Sequence, residues 1–152
     1  MQRLCLRQNA ISHIKFPEDF GSALLELDLY DNTISHIKGL ELFQNLTSLD
    51  LSFNNIKHIK NVNHFRKLRD IYFVQNKVSK IEGLEGLDVL RNLELGANRI
   101  RVCSAYIGLI SRRQLTPAQE IENLDSLSSL EELWLGKNKI TEIKVRPLPH
   151  AS

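Results

Sequence analysis

The chain has 152 residues, 20 Lys and Arg against 18 Asp and Glu, a formal net charge of +2 and 42% hydrophobic residues. This length and hydrophobic content suit one folded domain with its own core, and the average charged fraction indicates neither a disordered chain nor a nucleic-acid-binding tail. No apolar run approaches the roughly 20 residues of a membrane span. The two cysteines, Cys5 and Cys103, are too few for a disulfide framework and favour a reducing compartment.

Internal repeats are the main feature of the sequence. Leucine is unusually frequent, with 25 residues beside 14 Ile and 12 Asn, and such a bias is typical of repeat proteins. The pattern L-x-L-x-x-N-x-I-x-x-I, called the repeat frame below, recurs in chain order from Leu4, Leu27, Leu49, Ile71, Leu93 and Leu133. The Asn residues of successive copies are 23, 22, 22, 22 and 40 positions apart.

Each L-x-L segment predicts a short strand, with the two Leu side chains pointing inward and the middle side chain outward. One coil cannot bury its apolar side chains alone, so coils must stack and share a continuous core. The sequence therefore predicts an α/β solenoid, a leucine-rich-repeat horseshoe. We expect short parallel strands on its concave face, turns or short 3-10 segments on its convex face, and about six repeats without proper caps.

The Asn of each repeat frame is predicted to lie inside the turn that follows the strand. There its amide can satisfy backbone groups that the bend leaves unpaired. The alternative is that these Asn side chains are exposed loop residues. The predicted structural Asn ladder comprises Asn9, Asn32, Asn54, Asn76, Asn98 and Asn138.

Several stretches resemble one family in particular. LCLRQN (4–9), LDLYDN (27–32), LELGANRI (93–100) and LGKNKIT (135–141) are similar to consecutive repeats of the leucine-rich-repeat regulatory subunit of type-1 protein phosphatase, a class with 22-residue repeats. The resemblance implies a non-enzymatic regulator, found in nucleus and cytoplasm, whose concave face contacts the phosphatase catalytic subunit. Asp50, Tyr72, Glu94 and Trp134 match the acidic and aromatic positions of that contact.

The repeat frame is interrupted between Asn98 and Asn138. Deleting 102–119 restores it, so we divide the chain into repeats one to five (1–101), a non-repeat insertion (102–119), completion of repeat five with repeat six (120–144), and a non-repeat tail (145–152). The insertion begins with Val and ends with Gln, residues whose codons can hold the GT and AG of an intron, and the tail also begins with Val. We therefore predict that 102–119 and 145–152 derive from retained introns, and the alternative for the insertion is a genuine loop between coils.

Two columns of side chains are predicted to face the concave surface, since alternate residues of a strand share one face. They are the middle residue of each L-x-L and the residue before its first Leu, and they hold six acids, one base and two large aromatics. Exposed aromatics among carboxylates suit a protein partner with a basic surface, whereas the alternative is a solvated face whose acids only maintain solubility. The predicted partner-binding residues are Glu26, Asp28, Asp50, Asp70, Tyr72, Glu94, Glu132 and Trp134.

Basic residues gather after each Asn, on a predicted basic edge formed by Lys38, Lys57, Lys60, Lys77, Lys80, Arg99, Lys139 and Lys144. An RNA or acidic-partner contact there is the alternative to a solvated edge. His13, His36 and His58 recur at one repeat position, but zinc needs three or four converging ligands, so we expect no metal and no cofactor. Neither cysteine has a base at a spacing that suggests a nucleophile, so we expect no enzyme.

The sequence thus favours a protein-binding scaffold that regulates a type-1 serine/threonine phosphatase through its acidic and aromatic concave face. We expect its partner to be the phosphatase catalytic subunit, with no nucleic acid, membrane or small-molecule substrate. Two alternatives remain: a leucine-rich-repeat adaptor for a cytoskeletal or ribonucleoprotein partner, and a non-functional truncated gene product.

Overall fold

The structure is a computed structural model that describes residues 1–18, 20, 23–106, 124 and 126–146, with the backbone alone at 102–106 and 142–146. Six strands each begin at the residue before an L-x-L segment of the repeat frame, and two further strands lie outside these segments. The strands are β1 (Arg3–Cys5), β2 (Glu26–Asp28), β3 (Ser48–Asp50), β4 (Asp70–Tyr72), β5 (Asn92–Glu94), β6 (Val102–Tyr106), β7 (Glu132–Trp134) and β8 (Glu142–Arg146).

The strands form two parallel sheets. The main sheet has six strands in the order β1-β2-β3-β4-β5-β7, and β6 pairs with β8 in a separate two-stranded sheet. No residue in the described ranges is helical, and turns make the connections opposite the main sheet. The predicted parallel-strand solenoid is therefore confirmed, with turns on its convex side. The described residues contain no helix that could span a membrane.

The core is built by stacked columns of apolar side chains. In β2 to β5 the central residue is buried and its two neighbours are half-buried, as expected where one face of a strand packs inward. Three turn columns complete the core, and each repeats at the spacing of the strands. They are Leu40, Val62, Leu84 and Leu124, then Phe43, Phe65, Leu87 and Leu127, and then Leu46, Leu68, Leu90 and Leu130.

The long gap in the repeat frame does not separate the coils on either side of it. β5 pairs directly with β7, with Leu93 opposite Leu133. Leu124 and Leu127, from beyond the gap, are 1% and 0% exposed. The predicted insertion 102–119 and tail 145–152 lie largely outside the described residues, but the backbone of β6 keeps coil register, since Cys103 is opposite Ile143, at the second Ile position of the frame.

The Asn side chains form a hydrogen-bonded ladder between coils. In Asn54, for example, Nδ2 donates to the carbonyl oxygens of Leu51 and Ser52 in its own coil and of Leu29 in the preceding one, while Oδ1 accepts the N–H of Ile34. Asn32, Asn54, Asn76 and Asn98 are buried, Asn138 is half-buried, and Asn9 is exposed. The ladder crosses the gap, since Asn138 binds Leu95 and Ile100 in the same way.

Candidate protein-binding face

Strand register places the predicted surface residues in two parallel columns, which together are called the concave face below. One column contains the last residue of each strand in the main sheet, and the other contains the first. The columns are Cys5, Asp28, Asp50, Tyr72, Glu94 and Trp134, and Arg3, Glu26, Ser48, Asp70, Asn92 and Glu132. Neighbouring members lie one strand spacing apart, about 4.8 Å.

All eight predicted partner-binding residues lie on this face. Glu132 and Trp134, in β7, are exposed, and the other six are half-buried. The repeat spacing brings them together because each coil adds one residue to each column. The acidic residues therefore form one continuous surface although they are far apart in the sequence.

At the β1 end of this face, basic residues neutralise two of the acids. Arg3 Nε lies 2.7 Å from Glu26 Oε2, and Arg7 Nε lies 3.2 Å from Asp28 Oδ2. Arg3, Glu26 and Asp28 border an open concavity of about 370 Å³, which is also lined by Leu4, Cys5, Leu27, Ser48, Asp50 and Tyr72. The sequence pattern placed Arg3 in its column but did not indicate that these acids are paired within the chain.

In the middle of the concave face, partial burial raises the pKa of two side chains, Asp70 and Tyr72. Desolvation raises the pKa of the Asp70 carboxyl, against the attraction of Arg69 and Arg91, and Glu132 adds to the rise. Desolvation also raises the pKa of the Tyr72 hydroxyl, with a further rise from Asp70. A carboxylate that has lost part of its hydration interacts more strongly with a nearby cation than a fully hydrated carboxylate does.

The β7 end of the face presents a large aromatic side chain. Trp134 is 58% exposed, and its Nε1 donates to Glu132 Oε2 at 3.0 Å. Next to it, Asn92 Nδ2 donates to Glu94 Oε1 at 3.5 Å, whereas Asn92 Oδ1 has no hydrogen-bond partner in the part of the chain that the structure describes. Tryptophan is a common anchor of protein interfaces because it offers a large apolar area and one polar donor.

Beside the concave face lies a cluster that the sequence analysis missed. The guanidinium of Arg7 lies 4.4 Å above the centre of the Tyr30 ring, and the Tyr30 ring lies 4.8 Å from that of Phe53. Phe53 is 41% exposed. The sequence held a signal for Phe53, which comes directly before a ladder Asn. In all the remaining coils this position is polar or small, with Gln8, Asp31, Gln75, Ala97 and Lys137.

The predicted basic edge is largely solvated. Lys38, Lys57, Lys60, Lys80, Arg99 and Lys139 are exposed, Lys77 is half-buried, and the side chain of Lys144 lies outside the described residues. Of the three histidines that recur at one repeat position, His58 lies against Glu82, with 2.9 Å between Nδ1 and Oε1. Among the described residues, no group of three or more His, Cys, Asp or Glu side chains could hold a metal ion.

Two Ser–His contacts recur on the surface. The Ser12 hydroxyl lies 2.9 Å from His13 Nδ1, and Ser35 lies at the same distance from His36 Nδ1. Each pair joins sequence neighbours that are exposed to solvent. A catalytic Ser–His pair also needs a group that orients the base and donors for an oxyanion, and neither contact forms part of such an arrangement among the described residues.

Comparison with known proteins agrees with this architecture. Residues 45–68 match the family model described as Leucine Rich Repeat, whereas no curated protein matches the chain. The structure is similar to internalin C2 of Listeria monocytogenes str. 4b F2365, with 25% sequence identity and a TM-score of 0.72 over 93% of this chain and 54% of that one. The chain therefore spans about half the length of internalin C2.

Two further structures from Listeria monocytogenes share the fold. For the functional domain of InlJ the identity is 19% and the TM-score 0.60, over 93% of this chain and 31% of that one. For the internalin inlF of strain 4b F2365 the values are 17% and 0.54, over 95% and 54%. The strand topology, the Asn ladder and these similarities together support a leucine-rich-repeat protein, and this fold suggests a protein-binding scaffold.

Proposed function

We propose that this protein is a regulatory scaffold in nucleus and cytoplasm that docks onto the catalytic subunit of a type-1 serine/threonine phosphatase through the concave face. One observation carries the proposal. Asp50, Tyr72, Glu94 and Trp134 are consecutive register partners in β3, β4, β5 and β7, so they form a single line of acidic and aromatic side chains.

The composition of that line favours a protein partner with a basic surface. The carboxylates attract basic side chains and reject acidic surfaces, while the rings of Tyr72 and Trp134 supply anchoring area. The half-burial of Tyr72 restricts its side chain before binding, which lowers the entropy that docking must remove. These features support a docking role for the concave face over the alternative of a merely solvated sheet.

The family resemblance identifies the partner within this proposal. The four residues of the line match, position by position, the acidic and aromatic contacts of the phosphatase-regulator family, which the segments LDLYDN (27–32) and LGKNKIT (135–141) resemble. The mechanism is docking that changes the assembly, location or substrate choice of the catalytic subunit.

Capture of the purified type-1 catalytic subunit by the immobilised chain tests the proposal. A Glu94→Lys and Trp134→Ala double variant should weaken capture roughly tenfold or more, because it removes the aromatic anchor and reverses a charge. The matched control is Glu85→Lys with Val89→Ala, which changes an acid and an exposed apolar residue in the turn between β4 and β5. Capture by this control should equal that of the unaltered chain.

Charge reversal on the basic edge separates this proposal from the adaptor alternative. Lys57→Glu with Lys60→Glu alters two exposed residues away from the concave face and should leave phosphatase capture unchanged. If the edge variant lost capture and the concave-face variant retained it, the assignment of the concave face would be wrong. If the unaltered chain captured no phosphatase, the proposed partner would be wrong.

A further inference from the structure

Arg7 shows how the surface beside the concave face holds a guanidinium. Its Nε lies 3.2 Å from Asp28 Oδ2, and its guanidinium carbon lies 4.4 Å from the centre of the Tyr30 ring. The other carboxylate oxygen, Asp28 Oδ1, accepts the backbone N–H of Tyr30 at 3.0 Å. The carboxylate of Asp28 thus pairs with the charge of the arginine, and the ring of Tyr30 contacts the flat face of its guanidinium.

The next coil fixes a carboxylate in the same way without an arginine, but its residue equivalent to Tyr30 is Ser52, and the aromatic ring is supplied instead by Phe53. Asp50 is the register partner of Asp28, and its Oδ1 accepts the N–H of Ser52 at 2.8 Å, so the carboxylate is fixed in the same way. Asp50 forms no ion pair with any described residue. The ring of Phe53 is displaced from that of Tyr30 by 4.8 Å, close to the strand spacing of about 4.8 Å that separates the two carboxylates.

Phe53 stands at a backbone position that is unfavourable for a bulky side chain. Its φ is +55°, and the equivalent residues in the other coils have the same left-handed conformation. Such a conformation is unfavourable for a bulky side chain, by an amount of about 1 kcal/mol or more. Burial offsets this cost only in part, because the side chain is 41% exposed.

We propose that Asp50 and Phe53 form a receptor for an arginine side chain of the partner protein, in which the guanidinium stacks on Phe53 and binds Asp50. This inference rests on the proposed docking of the concave face and names the chemistry that one part of it recognises. Arginine is favoured over lysine because its planar guanidinium can stack on a ring while its N–H groups bond to a carboxylate.

Peptide binding tests the receptor without the phosphatase. Hexa-arginine and hexa-lysine are titrated separately into the labelled chain while NMR follows the ring protons of Phe53 and the amide of Asp50. Hexa-arginine should shift both sets of signals and bind about tenfold more weakly to Phe53→Gln. Hexa-lysine should shift the Phe53 ring much less, and an equal shift by both peptides would overturn the preference for arginine.

The variant is chosen so that folding and binding give different results. Gln is the residue at the equivalent positions 8 and 75, so Phe53→Gln should keep or raise the melting temperature while it weakens hexa-arginine binding. Val89→Gln, at another exposed apolar residue, is the control and should bind as the unaltered chain does. Asp50→Asn is the second variant, because its amide oxygen can still accept the Ser52 N–H while the charge is lost.

Phosphatase capture then separates this inference from the proposed function. If hexa-arginine shifts Phe53 but the unaltered chain captures no phosphatase, the receptor stands and the proposed partner is wrong. If the phosphatase is captured equally by the unaltered chain, Phe53→Gln and Asp50→Asn, and hexa-arginine leaves the Phe53 signals unchanged, the receptor is wrong and the proposed function stands.

Discussion

The side-chain oxygen of Asn76 accepts the backbone N–H of Ile56 at 2.9 Å, across the boundary between two coils. Nδ2 of the same side chain donates to the carbonyl oxygen of Leu51 at 2.8 Å, also in the preceding coil. One buried amide therefore satisfies a donor and an acceptor of its neighbour and holds the two coils in register. This register is what aligns the residues of the concave face.

Asn76→Ala should lower the free energy of unfolding by about 3 kcal/mol, because it leaves buried backbone groups of two coils without partners. Asn9→Ala is the matched control. Asn9 is exposed, and its Nδ2 donates to Leu6 and Arg7 in its own coil, so its loss should cost less than about 1 kcal/mol. Urea unfolding followed by circular dichroism measures both. Equal losses would show that the ladder does not act between coils.

Gly83→Ala should destabilise the protein by about 1–3 kcal/mol. Gly83 has a φ of +71°, and an added Cβ would collide with the carbonyl oxygen of Ile59 in the preceding coil. Gly136→Ala is the control, since a Cβ there meets nothing within 4 Å. Thermal unfolding should show a lower melting temperature for the first variant alone, and similar shifts for both would contradict the close approach of the coils at Gly83.

Asp70→Asn should make the protein more stable at neutral pH. Burial raises the pKa of Asp70 above its ordinary value of 3.8, so the folded chain holds this proton more tightly than the unfolded chain does. The protonated carboxyl of Asp70 therefore adds to the free energy of unfolding at low pH. This contribution is lost as pH rises from 3.8 through the raised pKa of Asp70. Asn cannot ionise, so the variant should show a smaller fall in stability over that interval.

Urea unfolding at a series of pH values from 3 to 8 measures the effect, with Asp88→Asn, at an exposed turn position, as the control. A steeper fall in stability for Asp70→Asn than for the unaltered chain would mean that the carboxylate of Asp70 stabilises the fold. Because Asp70 belongs to the concave face, the same variant should also weaken capture of a basic partner.

The repeat frame predicts the strand positions and the membership of the concave face well, because both follow from local periodicity. The same frame indicates the Asn ladder positions but not which carbonyl and amide groups each Asn bonds. It also indicates that the coils on either side of the long gap should stack directly on each other, and β5 does pair with β7. What lies at 107–119 and 147–152 is outside the described residues, so the retained-intron interpretation of 102–119 and 145–152 stays a prediction.

The charges on the face could be counted from the sequence, but their pairing could not. Arg7 comes after the strand of its own repeat, so periodicity alone gave no reason to connect it with Asp28 and Tyr30 in the next coil. Phe53 was missed for a similar reason. The frame marks its position as an unspecified loop residue, whereas the left-handed backbone there and the stacking of neighbouring coils bring its ring beside Tyr30.

The sequence by itself determined that the chain is a stack of coils, where each strand of the main sheet begins and which side chains share a surface, since a repeated hydrophobic spacing is satisfied by stacking the coils. Only the tertiary structure decided which acids are neutralised and which stay available. Those outcomes depend on distances between side chains of neighbouring coils, about 22 residues apart in the sequence. Among the described residues, Asp50 forms no ion pair and Phe53 keeps an exposed ring, and both are outcomes of this kind.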